Sequence, residues 1–447
     1  MVFIVKYPMD CGIFGVIRRG EGSDRVNGDL VARAIESIKF RGGAGLGSGF
    51  ALFNKESMGL RMGVFVREEL MSSAADTIKS VMRDNGIDIM DVRVRNKLGP
   101  MIDLEVRVLN NAKSGLNFTS IVNSINDLLW EDRAGRIYYW GGEHVNVFKG
   151  VGYPSEIASA YGIEKYTADL WIAHTRFPTN SPGYLPYWSH PFSVGGDIAV
   201  VHNGELSSYG NHVNALSHGY GLNSFVGTDS EVAAYLMHYL INVHGLSIED
   251  AIKILIGASP KYAIDGNALS LIRQFRWAML DGPPFAILMG IYHNDDLYLI
   301  ALVDRFKLRP PLVVGMDDYY YYVASEETAI RTVSPNARVW TLEPGGYFIA
   351  SLRRGIISWG RAKEEIDTFF PQRSFPTYVG RDAINAEGLS YRELNEEILR
   401  RALSGDRVIR VINVRGHRFI GVNLPRHGIR MSGLRYMVPP QVIHWPI

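Results

Sequence analysis

The 447-residue sequence predicts a layered α+β fold in which helices pack on strand-rich sheets. Three observations carry that expectation. Hydrophobic residues make up 47% of the chain, enough for a large core. Apolar residues recur at helical spacing, as in Leu30, Val31, Ala34, Ile35 and Ile38. Short apolar runs bounded by turn residues, such as Phe285 to Tyr292 and Leu297 to Val303, read as strands.

In chain order, Ile13, Phe14, Val16 and Ile17 begin a buried strand, and Asp24 to Arg41 follows as a helix. The glycine-rich run from Arg41 to Gly49 lacks the Lys-Ser/Thr ending of a phosphate loop, so it reads as a tight turn bringing backbone close to Cys11. Phe50 to Asn54 is the next strand. An insert at about residues 60–140 then reads β-α-β-β-α-β, the order of a small ferredoxin-like subdomain. Its strands are Arg61 to Val66, Ile89 to Val94, Ile102 to Leu109 and Ile137 to Trp140, and its helices are Glu68 to Asp84 and Ser120 to Leu129.

Leu170 to Ala173 and Ile198 to His202 are short apolar runs that end in polar motifs. Asp229 to Val243 and Ile248 to Ile256 are amphipathic helices. Beyond the Phe285 and Leu297 strands come Leu312 to Val314, Tyr319 to Ala324 and Arg338 to Leu342. Past Trp359 the character changes: Thr368 to Thr377 is a Phe- and Pro-rich arm, Tyr391 to Leu403 a capped helix, and Val408 to Val414 with Arg418 to Val422 a pair of β runs. That tail is too small to hold a good core alone.

Lys and Arg total 47 against 46 Asp and Glu, so no bulk field recruits nucleic acid or an anionic membrane. The most apolar stretch, Pro284 to Val303, is broken by the turn His293-Asn-Asp-Asp296. Residues 1–10 are too short for a secretory signal, which makes the cytoplasm the default location.

Cys11 is the single cysteine, so it forms no internal disulfide and no multi-cysteine metal site. It is an inert buried residue, a regulatory thiol or a nucleophile. Its position at the mouth of the first strand, ten residues from Met1, favours the last, because one cleavage would make it N-terminal. An N-terminal cysteine carries its own base: its α-amine has a reference pKa of about 8, near that of the thiol at about 8.5. While Asp10 remains attached, that nitrogen is an amide and not a base.

Three further motifs follow in order: His174-Thr-Arg-Phe-Pro-Thr-Asn180, Val201-His-Asn-Gly-Glu205 and Gly227-Thr-Asp-Ser-Glu231. Taken singly, Arg176 could be a surface ion pair, Asn203-Gly204 an ordinary turn and Asp229 a helix N-cap. Together, behind Cys11-Gly-Ile-Phe-Gly15, they resemble the class II glutamine amidotransferase domain of the N-terminal-nucleophile hydrolases. The separation of 165 residues (176 − 11) between Cys11 and Arg176 is similar to that of the glutamate synthase branch, closest to the archaeal type. Arg305 to Pro310, Ala324-Ser-Glu-Glu327 and Leu342 to Gly346 resemble the second half of that domain, and Val411 to Gly421 resembles the opening of the glutamate synthase β-helix domain.

The resemblance implies a four-layer αββα sandwich over residues 11–365, a leader at 1–10 that is removed, and an arm at 366–447. It implies that Cys11 attacks the glutamine side-chain amide to form a thioester, with Asn203 and Gly204 as oxyanion donors. Arg176 would hold the substrate α-carboxylate and Asp229 its α-ammonium, with Thr179 and Arg41 nearby. His174 and His202 lie in the motifs, but the chemistry requires neither, so both read as packed histidines and no metal is expected. No cofactor is expected in this chain; flavin and an iron–sulfur cluster would sit on a partner synthase subunit, with the β-helix on another polypeptide. Two alternatives stand beside this one: a subunit of an N-methylglutamate synthase, and a non-catalytic subunit that keeps its leader.

Overall fold

The computed structural model divides into two compact units, Met1–Lys363 and Glu364–Ile447. It describes residues 10–43, 45–109, 118–177, 185–221, 226–257, 266–280, 284–306, 308–309 and 312–360, and in the second unit residues 400 and 404 and a few short strands.

The first unit opens with β1 (Gly12–Arg18), the two-residue β2 (Val26–Asn27), helix α1 (Gly28–Glu36) and β3 (Gly47–Phe53). The insert follows as β4 (Arg61–Arg67), α2 (Met71–Asp84), β5 (Ile89–Leu98), β6 (Met101–Val108), α3 (Phe118–Glu131) and β7 (Gly135–Gly142). The chain returns through β8 (Val145–Val151), α4 (Pro154–Tyr161), β9 (Thr167–Ala168) and β10 (Leu170–Thr175). Next come β11 (Phe192–Ser193), β12 (Ile198–Gly204) and four helices, α5 (Tyr209–Tyr220), α6 (Asp229–His238), α7 (Ile248–Ile256) and α8 (Gly266–Gln274). The unit ends with β13 (Phe285–His293), β14 (Asp296–Val303), β15 (Val313–Met316), β16 (Tyr320–Ala324), α9 (Glu327–Val333), β17 (Arg338–Thr341), β18 (Tyr347–Ser351) and β19 (Gly355–Trp359).

Two large antiparallel sheets organise these strands. One has the order β17-β15-β16-β1-β10-β3-β8 and the other β11-β12-β13-β14-β18-β19. Strand alternation assigns the faces. Phe14 and Val16 of β1 pack with Trp171, Phe50, and Val31 and Ile35 of α1, all fully buried. Gly15, between them, faces the other sheet: a Cβ there would lie 2.6 Å from Leu288 and 3.1 Å from Leu299. Gly290 reciprocates, its missing Cβ lying 2.5 Å from Phe53 and 2.9 Å from Leu170. The outer face of the second sheet carries Val200, Ile287, Met289 and Ile300 against Val232 and Leu236 of α6 and Ile252 and Leu255 of α7. Every residue of β1, β10 and β14 is buried, which is why these strands read as continuous apolar runs.

The insert forms its own four-stranded antiparallel sheet, β5-β6-β4-β7, with Ile78 and Met82 of α2 and Ile125 and Leu129 of α3 packed on one face. Its other face carries a buried charge at the boundary with β8 and α4. Asp103 accepts hydrogen bonds from Tyr138 at 3.0 Å and Tyr161 at 2.7 Å, with Arg95 3.7 Å away and stacked 4.4 Å from the Phe148 ring centre.

Several elements differ from the sequence expectation. The first helix is shorter than Asp24 to Arg41, because the Asn27 side chain caps it and residues 39–41 form a separate 3-10 turn. The next strand starts at Gly47 rather than Phe50, since Gly47 and Gly49 pack backbone against Ser189 and His190 where no side chain fits. The sequence pattern gives no signal for β8, α4, α5, α8, α9, β18 and β19, nor for the two-residue strands β2, β9 and β11. In the second unit β20 (Ile409–Val414) pairs antiparallel with β21 (His417–Val422), while β22 (Arg430–Met431) pairs with β23 (Leu434–Arg435). The arm at Thr368 to Thr377 and, apart from Arg400, the helix at Tyr391 to Leu403 lie outside the described residues. Among the described residues no helix is long and apolar enough to cross a membrane.

The contact between the sheets makes one prediction. Leu288→Ala removes the side chain that meets Gly15 and should lower unfolding free energy by about 2–5 kcal/mol in urea titration. A loss below about 1 kcal/mol would mean the sheets are not close-packed there.

Candidate functional site

The register of β1 with β10 brings the site together. Gly12 pairs with Thr175 and Ile13 with His174, so the start of β1 lies against the end of β10. On its other side Ser325 grips Ile13 twice: its hydroxyl accepts the Ile13 N–H at 2.9 Å, and its own N–H donates to the Ile13 carbonyl at 2.9 Å. Cys11 is thereby held beside Arg176 and Phe177, although 166 residues separate it from Phe177. The Phe177 N–H donates to the Cys11 sulfur at 3.3 Å, and the thiol lies 3.5 Å from the Phe177 carbonyl.

Glycines line the approach. A Cβ on Gly12 would sit 2.6 Å from Thr175, and one on Gly42 would sit 2.3 Å from the Thr175 hydroxyl and 3.0 Å from the Arg176 carbonyl. The glycine-rich turn is thus pressed on the end of β10. From the second sheet, β12 delivers Asn203, whose side-chain Nδ2 donates to the Cys11 carbonyl at 3.0 Å. Gly204 follows at φ 149°, with its missing Cβ only 2.1 Å from the Pro284 carbonyl, a position no other residue fills without moving backbone. Arg41 donates from Nε to the same Cys11 carbonyl at 3.2 Å and from Nη1 to Glu326 at 2.6 Å.

Asp229 begins α6, one residue after its N-cap, Thr228. Its carboxylate accepts the Leu206 N–H at 2.7 Å and the Ser230 hydroxyl at 3.2 Å, and it lies 3.7 Å from His202. Asp229 therefore fastens the turn that follows Asn203-Gly204. Burial opposes its ionisation, but His202, the Leu206 N–H and Ser230 outweigh that and hold its carboxyl below the usual range. Thr179 lies outside the described residues.

The histidines are core groups. His174 Nε2 faces the His202 carbonyl at 3.1 Å, which gives that nitrogen the proton, and burial pushes the ring down to about 3, so it is neutral. Its ring centre lies 3.9 Å from that of His190, tilted by 33°, and burial keeps His190 neutral as well. Among the described residues no group of three or more His, Cys, Asp or Glu side chains could hold a metal ion.

Sequence reasoning assigned no role to Glu326, Phe177, Glu231 or Arg309. Glu231 accepts the Val226 N–H and lies 3.8 Å from Arg136 of β7, which ties the insert to the helix bearing Asp229. Arg309 donates to the Asp10 carboxylate, and Arg41 Nη2 stands 3.9 Å from the same group. Glu326 and Arg309 fall inside two segments that carried the family resemblance, the one signal that could have drawn attention to them.

Around Cys11 the balance of charge is set by burial. Burial pushes the thiol up to about 11, against the Phe177 N–H and the Arg176 guanidinium, which favour the thiolate. Arg176 is itself buried, 3% exposed.

No protein-family model matches the chain. It is 31% identical over 370 residues to an uncharacterized protein of Archaeoglobus fulgidus, a match covering 77% of this chain and 92% of that one. The chain belongs to that protein's family. It is also 25% identical over 347 residues to a protein of Methanothermobacter thermautotrophicus described as "Putative glutamine amidotransferase", covering 75% of this chain and 97% of the relative. A shorter stretch of 144 residues is 33% identical to the glutamine–fructose-6-phosphate aminotransferase of Wigglesworthia glossinidia brevipalpis, covering 30% of this chain and 22% of that enzyme. The homologues of this chain therefore include glutamine amidotransferases.

Because Cys11 is the single thiol, its ionisation can be read directly. In folded chain that keeps Asp10, iodoacetamide labelling should rise about tenfold per pH unit above neutrality and level off near pH 11. Urea-unfolded chain should level near pH 8.5, about the ordinary thiol value. A midpoint near 8.5 in folded protein would show that the thiol is not shielded.

Proposed function

We propose that this protein is a glutamine-hydrolysing amidotransferase subunit that acts through Cys11 once residues 1–10 are removed. The observation that carries the proposal is the convergence on Cys11 of the Phe177 N–H, the Asn203 amide and the buried Arg176 from two different sheets. The relatives described as glutamine amidotransferases support the same reading. We read the two sheets with helices outside them as the αββα sandwich of N-terminal-nucleophile hydrolases, and the insert as ferredoxin-like.

With Asp10 gone, the Cys11 α-amine takes the thiol proton, directly or through a water. The sulfur attacks the side-chain amide carbon of glutamine. The Asn203 amide has two N–H donors, one engaged with the Cys11 carbonyl, and the second with the Gly204 N–H would receive the oxyanion. Collapse breaks the C–N bond, and the protonated amine gives its proton to the leaving ammonia. Water then attacks the thioester and releases glutamate. Arg176 holds the substrate α-carboxylate and Asp229 its α-ammonium, with Arg41 fixing the Cys11 backbone.

The ammonia passes to a flavoprotein subunit of glutamate synthase type, with residues 366–447 as the start of the β-helix region. The spacing from Cys11 to Arg176 and the motifs at Arg305 to Pro310 and Val411 to Gly421 support that branch.

N-terminal sequencing of protein from its native source should begin at Cys11, and that material should convert glutamine to glutamate. Cys11→Ala should abolish turnover without lowering the unfolding midpoint; retained turnover would refute the assignment. Asp229→Ala should raise the apparent KM for glutamine at least tenfold, and an unchanged KM would remove Asp229 from the substrate.

A further inference from the structure

Arg309 is a cation close to Cys11 that the proposed reaction does not use. Asp10 is its one ion-pair partner among the described residues, and Arg41 reaches the same carboxylate from the other side. The two arginines are anchored differently: Arg41 by its side chain, Arg309 through its backbone. Arg41 is fixed by Glu326 and by the Cys11 carbonyl. Arg309 leaves a turn braced by Asp304, whose carboxylate accepts the N–H groups of Phe306 at 2.8 Å, Leu308 at 3.2 Å and Phe285 at 3.3 Å. Arg309 Nε and Arg41 Nη2 are buried and make no hydrogen bond among the described residues. Two cations with spare buried donors, one of them fixed independently, converge on one carboxylate and form a binding site for it.

We propose that Arg309 and Arg41 form a carboxylate seat beside Cys11, and that a peptide ending in Asp10 remains its ligand after the Asp10–Cys11 bond is cut. The inference rests on the reading that this bond is cut. Hydrolysis adds the hydroxyl of water to the Asp10 carbonyl carbon and a hydrogen to the Cys11 nitrogen. The severed Asp10 then carries two carboxylates. Its side chain keeps Arg309 and Arg41, while its new terminus faces the new α-amine. Until it departs, the peptide covers the nucleophile, so the excised segment is an inhibitor of the chain it came from.

The test uses the chain beginning at Cys11 and a fluorescent synthetic peptide of residues 1–10 with a free C-terminus. Anisotropy should show binding at least tenfold tighter than for the Asp10→Asn peptide amide, and Arg309→Gln in the protein should erase the difference. Equal affinity for the two peptides, or binding of neither to chain with a cooperative thermal transition, overturns the seat. Glutaminase assays on the same material separate the two ideas. Active chain that ignores the peptide sinks the seat and leaves the hydrolase reading. Inactive chain that still prefers the Asp10 acid supports the seat and sinks the hydrolase reading.

Discussion

The antiparallel ladder between β1 and β10 is the constraint on which the site depends. Gly12 opposite Thr175 puts the first residue of one strand against the last of another, so a thiol near the start of the chain meets a guanidinium and a backbone N–H from far along it. A slip of one residue would turn Phe14 and Val16 from α1 towards the second sheet and drive Gly15 into the helix layer. The register is therefore secured by the same burial that stabilises the core. Ser325 adds two hydrogen bonds at the point where the ladder would otherwise fray.

Electrostatically, the surroundings of Cys11 combine buried guanidiniums, neutral imidazoles and nearby carboxylates. Arg176 and Arg41 lie buried near Cys11, while His174 and His190, immediately behind, are kept uncharged by burial. Neutral imidazoles add no further positive charge there. Glu326 and Asp10 offset part of that charge at Arg41, and Asp229 is held as a carboxylate by His202, the Leu206 N–H and Ser230.

Much of this was legible in the sequence where chemistry travels in motifs. Cys11, Arg176, Asn203, Gly204 and Asp229 each stand in a short string whose residue types announce a role. Glu326 and Arg309 do not, because their contacts with Arg41 and Asp10 span 285 and 299 residues and arise only from sheet order. Strand β8 escaped notice for a different reason. It buries Asn146 and Lys149, polar side chains that break the apolar pattern and find partners only in the fold: Asn146 takes the Tyr139 hydroxyl, and Lys149 takes the Pro191 carbonyl and the face of Phe192. Helix α9, at seven residues, is too short for its period to show.

The glycines around Cys11 have a final implication. At Gly42 and Gly204 the neighbouring surface includes main chain, that of Arg176 in the first case and of Pro284 and Phe285 in the second. Trimming a side chain does not move such main-chain neighbours, and adding one at either glycine displaces backbone. The fit of main chain against main chain at these two points is thus a property of how the strands are spaced, which trimming a neighbouring side chain leaves unchanged.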